Sequence, residues 1–86
     1  MNETSDALRE FIMTEFLPGE DPSKLTDTTP LISGGILDSL AILKLVAFLE
    51  ETFGIEIKPY ETGPEYLDTI SDITNLVTSK KMASEN

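Results

Sequence analysis

The stretch Gly34-Gly35-Ile36-Leu37-Asp38-Ser39-Leu40, followed directly by the apolar run Ala41 to Phe53, decides the fold of this chain. Two glycines and an aspartate–serine pair stand where a loop becomes a helix. Asp38 suits the N-cap, because its carboxylate can accept orphan backbone N–H groups of the first turn. Ser39 then falls at the first helical position, near the positive end of the helix dipole. Such a position favours an anionic group, a phosphate in particular. Gly34-Gly35 is read as leaving room for close approach from outside.

Downstream of Ser39, at roughly 100° per residue, Ile42, Leu45, Val46, Leu49 and Phe53 make one stripe, the expected core face of a helix from Asp38 or Ser39 to about Phe53. Leu40, Leu43, Ala47 and Phe48 lie off that stripe. The helix therefore has more apolar surface than one core face needs. Phe48 leaves two readings open, packing against a second neighbour or docking. For Leu40 and Leu43, next to Ser39, docking of a partner is the expectation. Gly54 is placed to close the helix.

Upstream, Leu8, Phe11, Ile12 and Phe16 follow helical spacing. They predict a first helix, capped by Thr4 or Ser5 after a frayed Met1 to Thr4, running to about Leu17 and ended by Pro18-Gly19. From Glu20 to Leu37 the chain is turn-rich and too long for a simple connector. Leu25, Leu31, Ile32, Ile36 and Leu37 should tack it onto the core. After Gly54, Ile55 and Ile57 have no second strand to pair with and read as an extended link pinned to the core. Pro64 to Leu67 predicts a short helix with proline in its first turn. Thr69 with Asp72 resembles a capping box for a last helix of about Ile70 to Ser79. Ile70, Ile73, Leu76 and Val77 face inward, and Lys80 and Lys81 suit the C-terminal end. A disordered tail is expected over 82–86.

With 86 residues the chain reads as one domain, 1–86, with a folded core of about 5–79. A core this small is marginal, so helix packing must supply most of it. There is no cysteine and no histidine. Disulfides and a thiol nucleophile are excluded, and the usual general base and commonest metal ligand are missing. No metal site is expected. Sixteen acids against six bases give a formal charge of −10. That charge argues against nucleic acid and for basic protein partners that are steered electrostatically. It also keeps a small protein soluble and monomeric. With no membrane-length apolar run and no signal-peptide pattern, the expected location is the cytoplasm.

Asp38-Ser39-Leu40, ahead of Leu45-Val46 and of Leu49-Glu50-Glu51-Thr52-Phe53-Gly54-Ile55-Glu56-Ile57, resembles the carrier-protein family of acyl, peptidyl and D-alanyl carriers. The resemblance covers about Leu8 to Val77. It implies an all-α, four-helix carrier bundle of three main helices and one short one, with a long loop between the first two. It implies 4′-phosphopantetheine carried on Ser39, with Asp38 capping the helix and helping to place Mg²⁺ in the complex with a phosphopantetheinyl transferase. Acyl, aminoacyl or peptidyl cargo would ride as a thioester. Further implied partners are an adenylating, loading enzyme and downstream transferases. The face expected to meet them comprises Leu40, Ala41, Leu43, Lys44, Ala47, Glu50 and Glu51.

Ser39 has no base of the Ser-His-Asp kind, the Gly-x-Ser-x-Gly elbow is absent, and neither Walker nor Rossmann glycine patterns occur. A non-enzymatic protein modified by another enzyme is therefore expected. The alternative is an unmodified, small acidic interaction module. Fatty-acid carriers usually have acids soon after the motif serine and again three residues later, where this chain has Ala41 and Lys44. In this respect Gly35-Ile36-Leu37-Asp38-Ser39 looks more like free-standing peptidyl, aminoacyl or D-alanyl carriers.

Overall fold

The computed structural model describes residues 3–84, without the side chains of 22, 83 and 84. Helix α1 spans Glu3–Phe16, α2 Ser39–Phe53, the short α3 Pro64–Leu67, and α4 Ile70–Ser84. Two 3-10 turns, Pro22–Lys24 and Pro59–Glu61, lie in the connections, and no strand occurs among the described residues. The architecture is the all-α bundle of three main helices and one short one that the family resemblance implies.

Each main helix contributes its apolar stripe to one core. Leu8 and Ile12 of α1, Leu45 and Leu49 of α2, Leu67 of α3, and Ile70, Ile73 and Val77 of α4 are fully buried. Ile55 and Ile57 are buried without forming a strand, as an extended link should be. Phe48 resolves toward packing. Its ring stacks on Phe11 of α1 at 4.1 Å between centroids and meets Phe53 edge-on. Such aromatic pairs add modestly to the area they bury.

The helix ends differ from expectation in two places. Helix α1 already includes Thr4 and Ser5, so neither caps it; Ser5 is instead buried. Helix α4 continues beyond Ser79 to Ser84, and Met82, expected in a disordered tail, lies inside it. Residues 1, 2, 85 and 86 of the expected frayed ends lie outside the described residues. Lys80 does not serve the helix C-terminus. It pairs with Glu61, whose carboxylate is buried and also accepts from Lys58 N at 2.9 Å. That second bond is local and the ion pair is not, so the sequence shows only half of the arrangement. Lys81 lies 6.0 Å from the Phe53 ring centroid.

The long segment before α2 is anchored throughout. Leu25, Leu31 and Leu37 are buried in the core. Arg9 of α1 pairs with Asp27, and the carbonyl of Asp27 accepts from Ser71 N at the start of α4 at 3.0 Å. The loop is thus tied to the first and last helices before it delivers the chain to Ser39.

Candidate functional site

Asp38 has extended backbone geometry, φ −94° and ψ −174°, and its carboxylate accepts from Ala41 N at 2.8 Å. The Asp38 carbonyl accepts the first helical bond, from Ile42 N at 2.9 Å. Asp38 is therefore the N-cap and Ser39 the first residue of α2. Ser39 is exposed. At the far end Gly54, at φ +65°, donates its N–H to Glu50 O and closes the helix in the left-handed conformation glycine tolerates.

The approach to Asp38 is held from a distance. Asp68, just after α3, accepts on one carboxylate oxygen from Ile32 N at 2.8 Å and Ser33 N at 2.9 Å. Its other oxygen accepts from Ser33 Oγ at 2.8 Å, and its carbonyl accepts from Leu31 N. The bonds from Ser33 lead in holding its carboxyl below the usual aspartate range. Leu37 N in turn donates to Leu31 O at 2.8 Å, closing the loop directly ahead of Asp38. Sequence reasoning misses Asp68, because its partners lie some 35 residues away and no local pattern marks it.

Both glycines serve this loop, and at Gly34 the loop itself fills the space expected to be open to approach. A Cβ on Gly34 would come within 2.2 Å of the Pro30 carbonyl oxygen, so the loop's own backbone fills the space. Gly35 has φ +83° and turns the chain, with its N–H donating to Ile32 O.

The expected partner face divides. Leu40 is 70% and Leu43 64% exposed, and Lys44, Ala47 and Glu51 are exposed beside them. Ala41 is a correction. It is buried in the core, because it lies on the inward face with Leu45 and Leu49. Glu50 is half-buried, and its Oε2 accepts from Ile57 N at 2.9 Å and fastens the link after α2. Between α1 and α2 a shallow groove of about 380 Å³ opens beside the cap, lined by Glu15, Phe16, Ile36, Asp38, Leu40 and Lys44 among others.

What this arrangement offers chemically is an exposed serine on a capped helix start. No group of three or more potential metal ligands occurs among the described residues. No helix among them is long and apolar enough to cross a membrane. An exposed serine with no activating base fits a group attached by another enzyme.

The family model "Phosphopantetheine attachment site" matches residues 12–77. "Probable acyl carrier protein PigG" of Serratia sp. is 36% identical over 74 residues, covering 86% of this chain and 84% of that protein. An "Acyl carrier protein" of Zymomonas mobilis is 26% identical over 81 residues, covering 94% of this chain and 99% of that protein. Among solved structures, a chain in "Crystal structure of FAD-dependent dehydrogenase" superposes with a TM-score of 0.74 at 31% identity, covering 81% of this chain and 97% of that one. With a family match that takes in the last turns of α1, all of α2 and α3 and half of α4, the chain belongs to the phosphopantetheine-attachment family: it is a non-enzymatic acyl carrier protein whose cofactor is 4′-phosphopantetheine.

Proposed function

We propose that Ser39 is the attachment residue and that this domain is a discrete carrier of acyl, aminoacyl or peptidyl cargo. The observation that supports it best is the placement of Ser39. It is exposed, at the first position of a helix capped by Asp38, inside the family match. In the reaction a phosphopantetheinyl transferase holds coenzyme A with Mg²⁺, and Ser39 Oγ attacks the pyrophosphate. The Oγ–P bond forms, the P–O bond to adenosine 3′,5′-bisphosphate breaks, and the serine proton passes to the transferase's base. Asp38 has two roles, capping α2 and helping to place Mg²⁺ in that complex. When bound, the arm supplies the thiol this cysteine-free chain lacks, and that thiol holds cargo as a thioester.

The departure at Lys44 favours loading by an adenylating enzyme for an amino acid or small acid over a role in fatty-acid elongation. The structural match favours one class of downstream partner. This chain covers nearly all of the matched chain, which is therefore of carrier length, and that chain belongs to a structure named for an FAD-dependent dehydrogenase. A flavin enzyme would oxidise cargo on the arm, its FAD accepting the two hydrogens removed.

Incubation with coenzyme A, Mg²⁺ and a broad-specificity transferase should add one arm, seen by intact mass. Ser39→Ala should abolish it. Asp38→Ala should slow it and cost about 1 kcal/mol of stability through the lost cap. A wild-type protein left unmodified by several transferases would overturn the reading in favour of an unmodified interaction module.

A further inference from the structure

The chain reaches Ser39 through a loop that one distant side chain fastens. Leu31 and Leu37 are buried, whereas Ser33, Gly34 and Gly35 between them are exposed. Burial therefore pins the two ends of this stretch and leaves its middle to hydrogen bonds. Asp68 supplies them. Its Oδ1 accepts from Ile32 N and Ser33 N, and its Oδ2 accepts from Ser33 Oγ. Its carbonyl accepts from Leu31 N, and the Leu31 carbonyl accepts from the N–H of Leu37, the residue just before the Asp38 cap. Asp68 itself stands on a firm base. Leu67 before it and Ile70 after it are fully buried, and the hydroxyl of Thr69 accepts from Asp72 N at 3.0 Å in the first turn of α4. A series of bonds thus runs from the junction of α3 and α4 to the first turn of α2, where Ala41 N donates to the Asp38 carboxylate.

We propose that Asp68 is a positioning residue for attachment of the arm: it holds the loop of residues 31–37 so that Asp38 caps α2 and Ser39 meets the transferase in one orientation. The inference rests on Ser39 as the attachment residue and adds a group that acts on it only through the loop. Ser39 is exposed, so packing does not fix its place; the backbone that leads into it does. Attack on a phosphoryl centre demands close alignment, and a misplacement of about 1 Å can cost on the order of 100-fold in rate. Without the Asp68 carboxylate, Ile32 N and Ser33 N lose their acceptor while Leu31 and Leu37 stay in the core. The fault is therefore local: the loop loosens, and with it the entry to the cap.

The test uses the full chain before the arm is added, with coenzyme A, Mg²⁺ and a broad-specificity transferase, at a temperature where circular dichroism shows each variant folded. Asp68→Ala should lower kcat for attachment roughly tenfold and leave KM for the carrier unchanged, because alignment of the nucleophile acts in the reaction and not in the encounter. Asp68→Asn keeps an oxygen for Ile32 N and Ser33 N, and its amide can donate to Ser33 Oγ, so it should restore most of the rate. Ser33→Ala removes only the hydroxyl bond and should lower kcat less than Asp68→Ala does. Glu61→Ala is the comparison variant. It removes another carboxylate with distant partners, on the link after α2, and should lower the melting temperature with kcat unchanged. Amide exchange should quicken in Asp68→Ala at Ile32, Ser33, Leu37 and Ala41 and stay as in wild type from Leu45 to Leu49, whereas a general loss of stability would quicken all of them together. Equal losses of kcat in Glu61→Ala and Asp68→Ala, or an Asn variant as slow as the Ala one, would overturn the proposal. An unchanged kcat in folded Asp68→Ala would do the same. Should Asp68→Ala not fold, Ser33→Ala decides: a lowered kcat supports the proposal and an unchanged one overturns it. A wild-type chain that takes no arm would overturn the attachment reading itself, and this inference with it.

Discussion

The two faces of α2 are built from similar residues and serve opposite ends. Inward, Ala41, Leu45 and Leu49 are buried, the two leucines completely. Outward, Leu40 and Leu43 are exposed over most of their surface. Hydrophobicity does not tell these leucines apart; only their phase around the helix does. A leucine held in water offers no folding energy and adds risk of association, so its presence beside Ser39 is better explained by contact with a partner. The largest expected effect tests this contrast directly. Leu45→Ala or Leu49→Ala should cost roughly 2–5 kcal/mol, enough to unfold a domain of this size. Leu43→Ala should leave thermal melting nearly unchanged and slow partner turnover. If Leu43→Ala unfolds the protein, the division into faces is wrong.

The loop ahead of Ser39 differs from α2 in how it is held. Helix α2 is specified by local signals, a cap, a stripe and a terminal glycine. The loop is specified by distant ones, above all Asp68. Gly34 is where this dependence is tightest. Gly34→Ala would drive a methyl group into the Pro30 carbonyl, so the backbone must shift, at a cost of about 1–3 kcal/mol as for other overpacked sites. Denaturant melts should show the loss. Modification of Ser39 should slow further than stability alone explains, since the loop sets the entry to the cap. An unchanged melt would show that the loop relaxes freely and does not set the geometry at Asp38.

The same contrast governs what is legible in the sequence. Leu8, Ile12, Leu45, Leu49, Ile70, Ile73, Leu76 and Val77, the Asp38 cap and the Gly54 terminus follow from short-range patterns and appear in the structure, whereas Phe11, Phe16, Ile42, Val46 and Phe53 of the expected stripes are only partly buried. Ala41 escapes such a reading because a small residue gives little sign of its face, and the charge pattern near the serine outweighs the helical phase. Glu50 reads as a surface acid because its backbone partner, Ile57 N, lies beyond the helix end. Glu61 and Asp68 escape for the same reason at longer range. Each is a carboxylate whose partners are fixed only by the tertiary fold.

Those two carboxylates should set the acid limit of the fold. The carboxyl of Glu61 is held below the ordinary glutamate range, first by its hydrogen bond from Lys80, and that of Asp68 below the aspartate range, first by Ser33 N. A carboxylate with a lowered folded-state pKa contributes stability fully above its unfolded value of about 4. That contribution is lost as pH falls through the folded value. Stability should therefore drop below about pH 4, and the drop should be shallower in Asp68→Asn. Unchanged acid sensitivity in that variant would show that Asp68 holds the loop no better ionised than neutral. Leu43, exposed and off the α2 stripe, carries no titratable group, so Leu43→Ala should not alter the acid limb.

The smallest effect expected is that of salt, and it separates net charge from specific pairs. The chain has ten more acids than bases. The ion pairs Arg9–Asp27 and Lys80–Glu61 tie distant segments together, whereas Lys58–Glu56 is local and exposed. Salt weakens both the general repulsion and these attractions, but not equally. At about 0.1 M the screening length is near 10 Å, so repulsion among scattered surface acids is damped more than a contact pair with a buried partner such as Glu61. Moderate salt should therefore raise the melting temperature slightly. Partner association should move the other way, slowing as long-range steering is screened. Lys44→Glu should steepen the gain in melting temperature, since removing one base and adding one acid takes the excess of acids from ten to twelve. A melting temperature that falls with salt in both proteins would mean that the ion pairs outweigh the net charge, and that the acidic surface of this carrier is organised rather than merely repulsive.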